Sequence, residues 1–238
     1  MWLAKRRLMI LNAMQAGFGQ FCPIALASEV LTQRWMTLIA RELLAGSTRF
    51  NDIRRGVPRI SPTLLKQRLE TLEHPGIVQR RRAASGGHDY ALTQAGQELR
   101  PILRGLGEWG QRWARDIKPA DLDPGWLVWN MHRRMNVAQM PHGRTVIEIE
   151  FADAPRQRHF WIVSNDGDID VCLKPPGHTV DLAVRCRVRT LAEVWRGLRP
   201  LKAAIRAGEI ELRGPAVLRK NFPSWLLLSA YAPIERMR

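Results

Sequence analysis

Between Arg49 and Tyr90 the chain reads RFNDIRRGVPRISPTLLKQRLETLEHPGIVQRRRAASGGHDY, and its periodicity changes from helical to strand-like within that one stretch. Ser61 followed by Pro62 predicts a helix start. The serine hydroxyl can accept from a free backbone N–H, and proline at the first helical position has no N–H to lose. Leu65, Leu69 and Leu72 then recur at helical spacing with Leu64 at their edge, while Thr63, Lys66, Gln67, Glu70 and Thr71 project from the other side. Pro75-Gly76 ends that helix, so it spans 61–73. Ile77 to Arg82 then reads as a strand, Ala83 to Gly87 as a flexible tip and His88 to Leu92 as the return strand, a hairpin over 77–92 with Arg80, Arg81 and Arg82 in sequence on it.

A short helix, a turn, a second helix and a basic hairpin make the layout of a winged helix-turn-helix. The chain of 238 residues carries a formal charge of +15, and 45% of its residues are hydrophobic, enough for one large or two ordinary domains. Residues 1–118 hold 19 basic against 9 acidic side chains; the remainder holds 18 against 13. A basic surface by itself attracts phosphate backbones and anionic membranes alike. Concentrated beside this layout, it favours double-stranded DNA as partner. Three scattered cysteines, Cys22, Cys172 and Cys186, fit reduced cytoplasmic thiols better than a disulfide framework. No CxxC or HExxH spacing calls for a metal, no cofactor is expected, and no run approaches the ~20 apolar residues of a membrane span.

Residues 1–20 read as an N-terminal extension. Lys5-Arg6-Arg7 before Leu8-Met9-Ile10-Leu11 faintly resembles a signal peptide, but Asn12, Gln15 and Gln20 interrupt the apolar run, and Met14 offers an alternative start. Apolar residues between Val30 and Leu44 predict two helices ending at Gly46, with Thr48 capping a short helix near Arg49. Thr93 is expected to cap a long helix reaching about Ile117, of the kind that commonly builds a dimer interface. Lys118-Pro119 and Asp121-Leu122-Asp123-Pro124-Gly125 break the pattern, which places a domain boundary near residue 119. Beyond it we expect a helix over 126–137, strands at 145–151, 160–164, 169–173, 179–186 and 209–213, and helices at 190–195, where Thr190 would cap, and 201–207. A final apolar segment, 218–228, is broken by Pro223. Asn165-Asp166-Gly167-Asp168 predicts a hairpin turn. The fold class is α+β: an N-terminal winged helix-turn-helix, 21–118, and a C-terminal α+β domain, 119–238.

Base edges in the major groove are read by polar side chains on an element that fits it, whereas phosphate contacts need long cations or donors. Thr63, Lys66 and Gln67 are the groove candidates, beside the cap Ser61, and Gln67 suits adenine. Arg68 lies near the edge of the leucine stripe and could swing toward phosphate. Arg49, Asn51, Arg80, Arg81, Arg82 and His88 suit the backbone. In the second half Trp129, Phe160, Trp195, Phe222 and Trp225 are candidates for an apolar ligand pocket, though most such residues must be plain core. The six histidines are scattered, and neither a nucleophile elbow nor a phosphate-binding glycine loop is present, so no catalytic residue is assigned and an enzyme is not expected.

Residues 21–117 resemble the HxlR-type winged helix-turn-helix regulators, through FCPIALASEVLTQRW, LIARELLAGSTRFNDIRRGVPRISPTLLKQRLETLE, GIVQRR, YALTQAG and LGEWG. His74-Pro75 departs from the family's usual Glu-Glu-Ala. The resemblance implies a cytoplasmic homodimeric transcription factor with its second helix in the major groove and its wing on the backbone. It also implies that Cys22, at the start of the first helix, is a redox switch in some members; the alternative is a small residue packed under that helix. Residues 119–230 resemble a sterol-carrier-protein-like domain, through DLAVRCRVRTLAEVWRGLRPLKAAIRAGEIELRGPAVLRKNFPSWL. That resemblance implies an apolar tunnel for lipid-like molecules, hence a hydrophobic small-molecule effector. The alternative function is a lipid-binding or lipid-transfer protein whose winged domain mediates protein interaction.

Overall fold

The computed structural model describes residues 17–83 and 86–237, so most of the N-terminal extension and part of the wing tip lie outside the described residues. The chain divides into two compact units, residues 1–104 and 105–238. The first contains α1 (Pro23–Leu31), α2 (Met36–Leu44), α3 (Phe50–Gly56), α4 (Pro62–Glu73), the hairpin β1 (Val78–Arg82) and β2 (His88–Leu92), and the short α5 (Gln94–Gln97). The cut between units falls within α6 (Leu99–Trp113).

Leucine spacing decides how α4 is held. Leu65, Leu69 and Leu72 are fully buried among Met36, Ile39 and Leu43 of α2, Ile53 of α3, and Val57, Ile60 and Val78. Each buried leucine contributes roughly 1.5–3 kcal/mol, so the stripe fixes the rotation of the helix. Ser61 Oγ accepts from Leu64 N at 3.2 Å, the expected cap. At the other end Gly76, at φ +71°, lets its own N–H reach Glu73 O and that of Ile77 reach Leu72 O, a Schellman closure that turns the chain into β1. The wing is in register from Val78↔Leu92 to Arg82↔His88.

Three local expectations change. Thr48 caps nothing: the N-cap of α3 is Arg49, and the Thr48 carbonyl instead accepts Tyr90 N at 2.7 Å, stitching the wing to the helix–turn–helix. Thr93 does cap, but only the four-residue α5. The long helix begins afresh at Leu99 and stops at Trp113, short of Ile117.

The second unit is a five-stranded sheet with helices. Its strands are β3 (Arg144–Phe151), β4 (His159–Asn165), β5 (Asp168–Cys172), β6 (Leu182–Cys186) and β7 (Ile210–Arg213), ordered β5-β4-β3-β6-β7. Every neighbouring pair is antiparallel except β3 with β6. Alternation assigns Ile147, Ile149, Phe160, Ile162, Leu182 and Val184 to the core with α7 (Pro124–His132), α8 (Val188–Trp195), α9 (Leu201–Arg206) and α10 (Ala216–Trp225). Glu148, Glu150, His159 and Arg185 alternate with these core positions: His159 Nδ1 lies at hydrogen-bond distance from Glu148, 3.0 Å, and Arg185 forms an ion pair with Glu150 at 3.3 Å. Asp166 and Gly167, at φ +45° and +106°, make the expected hairpin turn.

Two helices here start where composition alone misleads. Thr190 is buried inside α8; the N–H of Val188 is satisfied by Asp153 Oδ1 at 2.9 Å, reaching in from the β3–β4 loop. Asp123 caps α7 through Trp126 N at 2.8 Å, and the helix ends at His132 instead of running to 137. There the backbone is recruited elsewhere: Asn136 N donates to Trp225 O at 2.6 Å, and Met135 bridges to Leu226. Pro223 sits within α10, which continues to Trp225.

Candidate nucleic-acid interface

With its leucine stripe buried, α4 can offer only its opposite side, and Thr63, Lys66 and Gln67 are all exposed there. Spaced i, i+3, i+4, they share one face. A hollow of about 440 Å³ lies beside them, lined by Phe50, Pro62, Thr63, Lys66, His88 and Tyr90. It brings Thr63 and Lys66 of the helix together with His88 of the wing, three residues separately predicted. Phe50 and Tyr90 were not; Tyr90 stands in the middle of the return strand opposite Arg80, and its half-buried ring carries no charge signal to reveal it. Burial, reinforced by Glu73, raises the Tyr90 hydroxyl pKa, so it stays protonated and can donate.

The wing arginines are not equivalent. Arg80 Nε lies 3.8 Å from Glu73, and Arg49 Nε lies 4.0 Å from Asp89, so both share their charge with a carboxylate. Arg81 and Arg82 are exposed opposite Asp89 and His88. Asn51 is exposed in the first turn of α3. Arg68 departs from expectation: it is half-buried, and its Nη1 donates to Gln33 Oε1 at 2.8 Å, which engages it with a residue beyond the end of α1 rather than leaving it to swing outward.

Cys22 is exposed at the N-cap of α1. Cys186 is buried, and burial, with Asp153 and Glu150 nearby, pushes its thiol up to about 12. No group of three or more His, Cys, Asp or Glu among the described residues is arranged to hold a metal, and none of the described helices is long and apolar enough to cross a membrane.

Of the five aromatic pocket candidates, Trp195 lines a cavity of about 440 Å³ in the second unit. Phe160, Phe222 and Trp225 are instead core residues, the last two packed edge to face at 6.2 Å. Trp129 is buried against His132, with Arg133 stacked over its ring at 4.6 Å. The cavity lies between the segment after α6 (Ala114–Ile117 and Asp121–Asp123), the start of α7 (Trp126, Leu127) and one side of α8 (Val188, Ala192, Trp195), with Arg196 beyond the helix end.

Residues 30–118 match the model of the HxlR-like helix-turn-helix family. The uncharacterized HTH-type transcriptional regulator YvaP of Bacillus subtilis (strain 168) is 36% identical over 108 residues, 44% of this chain and 97% of its own length. YybR of the same organism, also an uncharacterized HTH-type transcriptional regulator, is 33% identical over 38% of this chain and 74% of its length. The solved structure of the redox regulator HypR in its oxidized form is 33% identical and aligns over 40% of this chain and 100% of that one, with a TM-score of 0.38. On the 30–118 match and the near-complete coverage of YvaP, the chain belongs to the HxlR-like helix-turn-helix family.

Proposed function

We propose that the chain is a cytoplasmic, homodimeric regulator of transcription that binds double-stranded DNA through residues 21–118. The observation that carries this reading is the face of α4: three exposed polar side chains on a helix locked by three buried leucines, flanked by a wing with exposed arginines. Thr63, Lys66 and Gln67 read base edges, and Arg81 and Arg82 hold phosphate with Arg49, Asn51, Arg80 and His88 beside them. Arg68 positions α4 through Gln33. Lys66→Ala combined with Gln67→Ala should abolish sequence preference. Arg81→Ala should weaken all duplexes alike and lower the salt slope by about one. Selection of bound genomic fragments supplies the operator; unchanged operator binding by both variants refutes the assignment, and failure of the wild type to bind any genomic DNA at moderate salt turns the reading toward lipid binding.

Two apolar faces that no described residue covers support the dimer. On α6, Leu99, Ile102, Leu106, Trp109 and Trp113 recur at alternating spacings of three and four, the seam of a coiled coil, and the last four are exposed. Helix α1 has no buried residue, and Ile24 and Leu26 on it are exposed. A nine-residue helix that packs only Val30 against the core gains little stability alone, and a second copy of the chain would cover both faces. The C-terminal unit is read as a sterol-carrier-like domain over 119–238 that holds an apolar effector. The apolar cavity beside Trp195 supports that reading. An effector would act by favouring one spacing of the two recognition helices.

A further inference from the structure

Five charged residues stand around the cavity beside α8, and four of them are already neutralised or used. Arg115 grips both carboxylate oxygens of Asp121, which also accepts Lys118 N; these bonds hold the Asp121 carboxyl far below the usual range. Asp116 accepts from Arg236 at 2.8 Å, and Asp123 caps α7. Arg196 is the exception. Its Nε and Nη2 both rest on Gln111 Oε1, at 3.2 and 2.7 Å, a neutral amide oxygen.

Arg196 is half-buried beside a second guanidinium, that of Arg236; burial and then this neighbour lower its pKa, and the Asp116 carboxylate, which Arg236 engages, offsets them only in part. A partly desolvated cation whose own hydrogen bonds go to an amide, with the nearest carboxylate already engaged by Arg236, is under-compensated, and an anion would relieve it. The planar guanidinium fork matches a carboxylate bidentately, and a carboxylate, unlike a phosphate, carries a single charge into an apolar cavity. Around it the walls are apolar: Trp126, Trp195, Leu122, Leu127 and Val188. The volume of about 440 Å³ falls in the range of small-molecule sites.

We propose that this cavity binds a compact organic carboxylate, its carboxyl group on Arg196 and its aromatic or branched apolar body between Trp126 and Trp195. This deepens the effector reading by naming the ligand's chemistry and its anchoring residue, and it rests on that reading only for its regulatory consequence.

The test uses the full chain and two probes of equal shape, 2-naphthoate and 2-naphthamide, titrated by calorimetry. The acid should bind about tenfold more tightly or better, the factor expected of a charge-assisted hydrogen bond. Arg196→Gln should erase that preference while leaving the amide within about twofold, which also reports that the variant is folded. Arg196→Lys, which keeps the charge and loses the fork, should weaken the acid several-fold more than the amide and serves if the glutamine variant does not fold. Equal binding of acid and amide by the wild type, binding of neither, or a preference that survives Arg196→Gln overturns the site. Duplex binding by the unliganded chain is measured on the same preparation. Retained DNA binding without carboxylate preference removes this site alone, whereas carboxylate preference without any DNA binding keeps the site and removes the regulator reading.

Discussion

Gly56→Ala probes the packing that sets the helix-turn-helix angle. Gly56 closes α3 and is buried against Glu42 of α2, which is itself fully buried. A Cβ at Gly56 would overlap the Glu42 carboxyl. That carboxyl cannot simply step aside: its Oε1 accepts Arg41 Nε and Nη2 at 3.2 and 2.8 Å, and the same Nη2 donates to Gly56 O at 2.9 Å. One methyl group therefore strains a glutamate, an arginine and a backbone carbonyl together. Overpacking a core costs about 1–3 kcal/mol. Disturbing a buried ion pair costs about 3–5 kcal/mol when a partner is lost outright. Here the arginine is 32% exposed and the pair is displaced, not deleted. The net loss should thus be about 2–4 kcal/mol, after the few tenths that alanine returns in helix propensity. For a unit of this size that lowers Tm by roughly 10–25 °C. Thermal denaturation followed by circular dichroism measures it, with a double-mutant cycle against Glu42→Ala, which removes the obstructing carboxyl. A loss below about 0.5 kcal/mol, or strict additivity of the two substitutions, refutes the clash as the cause.

Burial, then Arg133, lowers the His132 pKa from 6.5 to about 4, so the unfolded chain takes up this proton before the folded one does. Stability should therefore be unaffected by this group above about pH 6.5, fall as pH drops from there to about 4, and level off below, by at most about 3 kcal/mol. His132→Gln should flatten that segment of the stability–pH curve in urea melts; an unchanged curve rejects the shift. Leu106→Glu places a charge in the exposed seam of α6 and should convert a dimer to a monomer in sedimentation velocity, with loss of operator affinity. A wild type that is already monomeric at micromolar concentration, or a variant that still dimerises, would remove α6 as the seam.

Local signals were readable wherever the chemistry of an element is supplied by its own neighbours in sequence. Ser61-Pro62, Pro75-Gly76 and Asp166-Gly167 each act within a few residues, and the structure uses all three. The ends of α7 and α8 were misjudged because their partners come from far along the chain. Asp153 caps the start of α8 from 35 residues away, so Thr190 is released to the core. Met135 and Val137 extend an apolar run that looks helical, yet the backbone around them is taken by Trp225 and Leu226. Aromatic residues were a poor guide to the cavity for a related reason. A sheet-and-helix core has first claim on large rings, and Phe160, Phe222 and Trp225 were needed there.

Charge was legible as a sum but not as availability, and availability is what binding uses. In the wing three consecutive arginines look alike, yet Glu73 engages Arg80, while no ion pair among the described residues engages Arg81 or Arg82. Arg68, placed by sequence near phosphate, is committed to Gln33 35 residues earlier. Arg196 inverts the case. Nothing in its sequence neighbourhood distinguishes it from Arg187, Arg189 or Arg199, and Arg199 is closed by Glu209 through two hydrogen bonds of 2.6 and 2.7 Å. What separates Arg196 is that its acceptor, Gln111, lies 85 residues earlier and carries no charge. A half-buried cation whose hydrogen bonds go to a neutral amide leaves electrostatic attraction unspent, and that residue of attraction, next to two tryptophans and a partly open apolar volume, is what selects an anion with an apolar body over a neutral lipid.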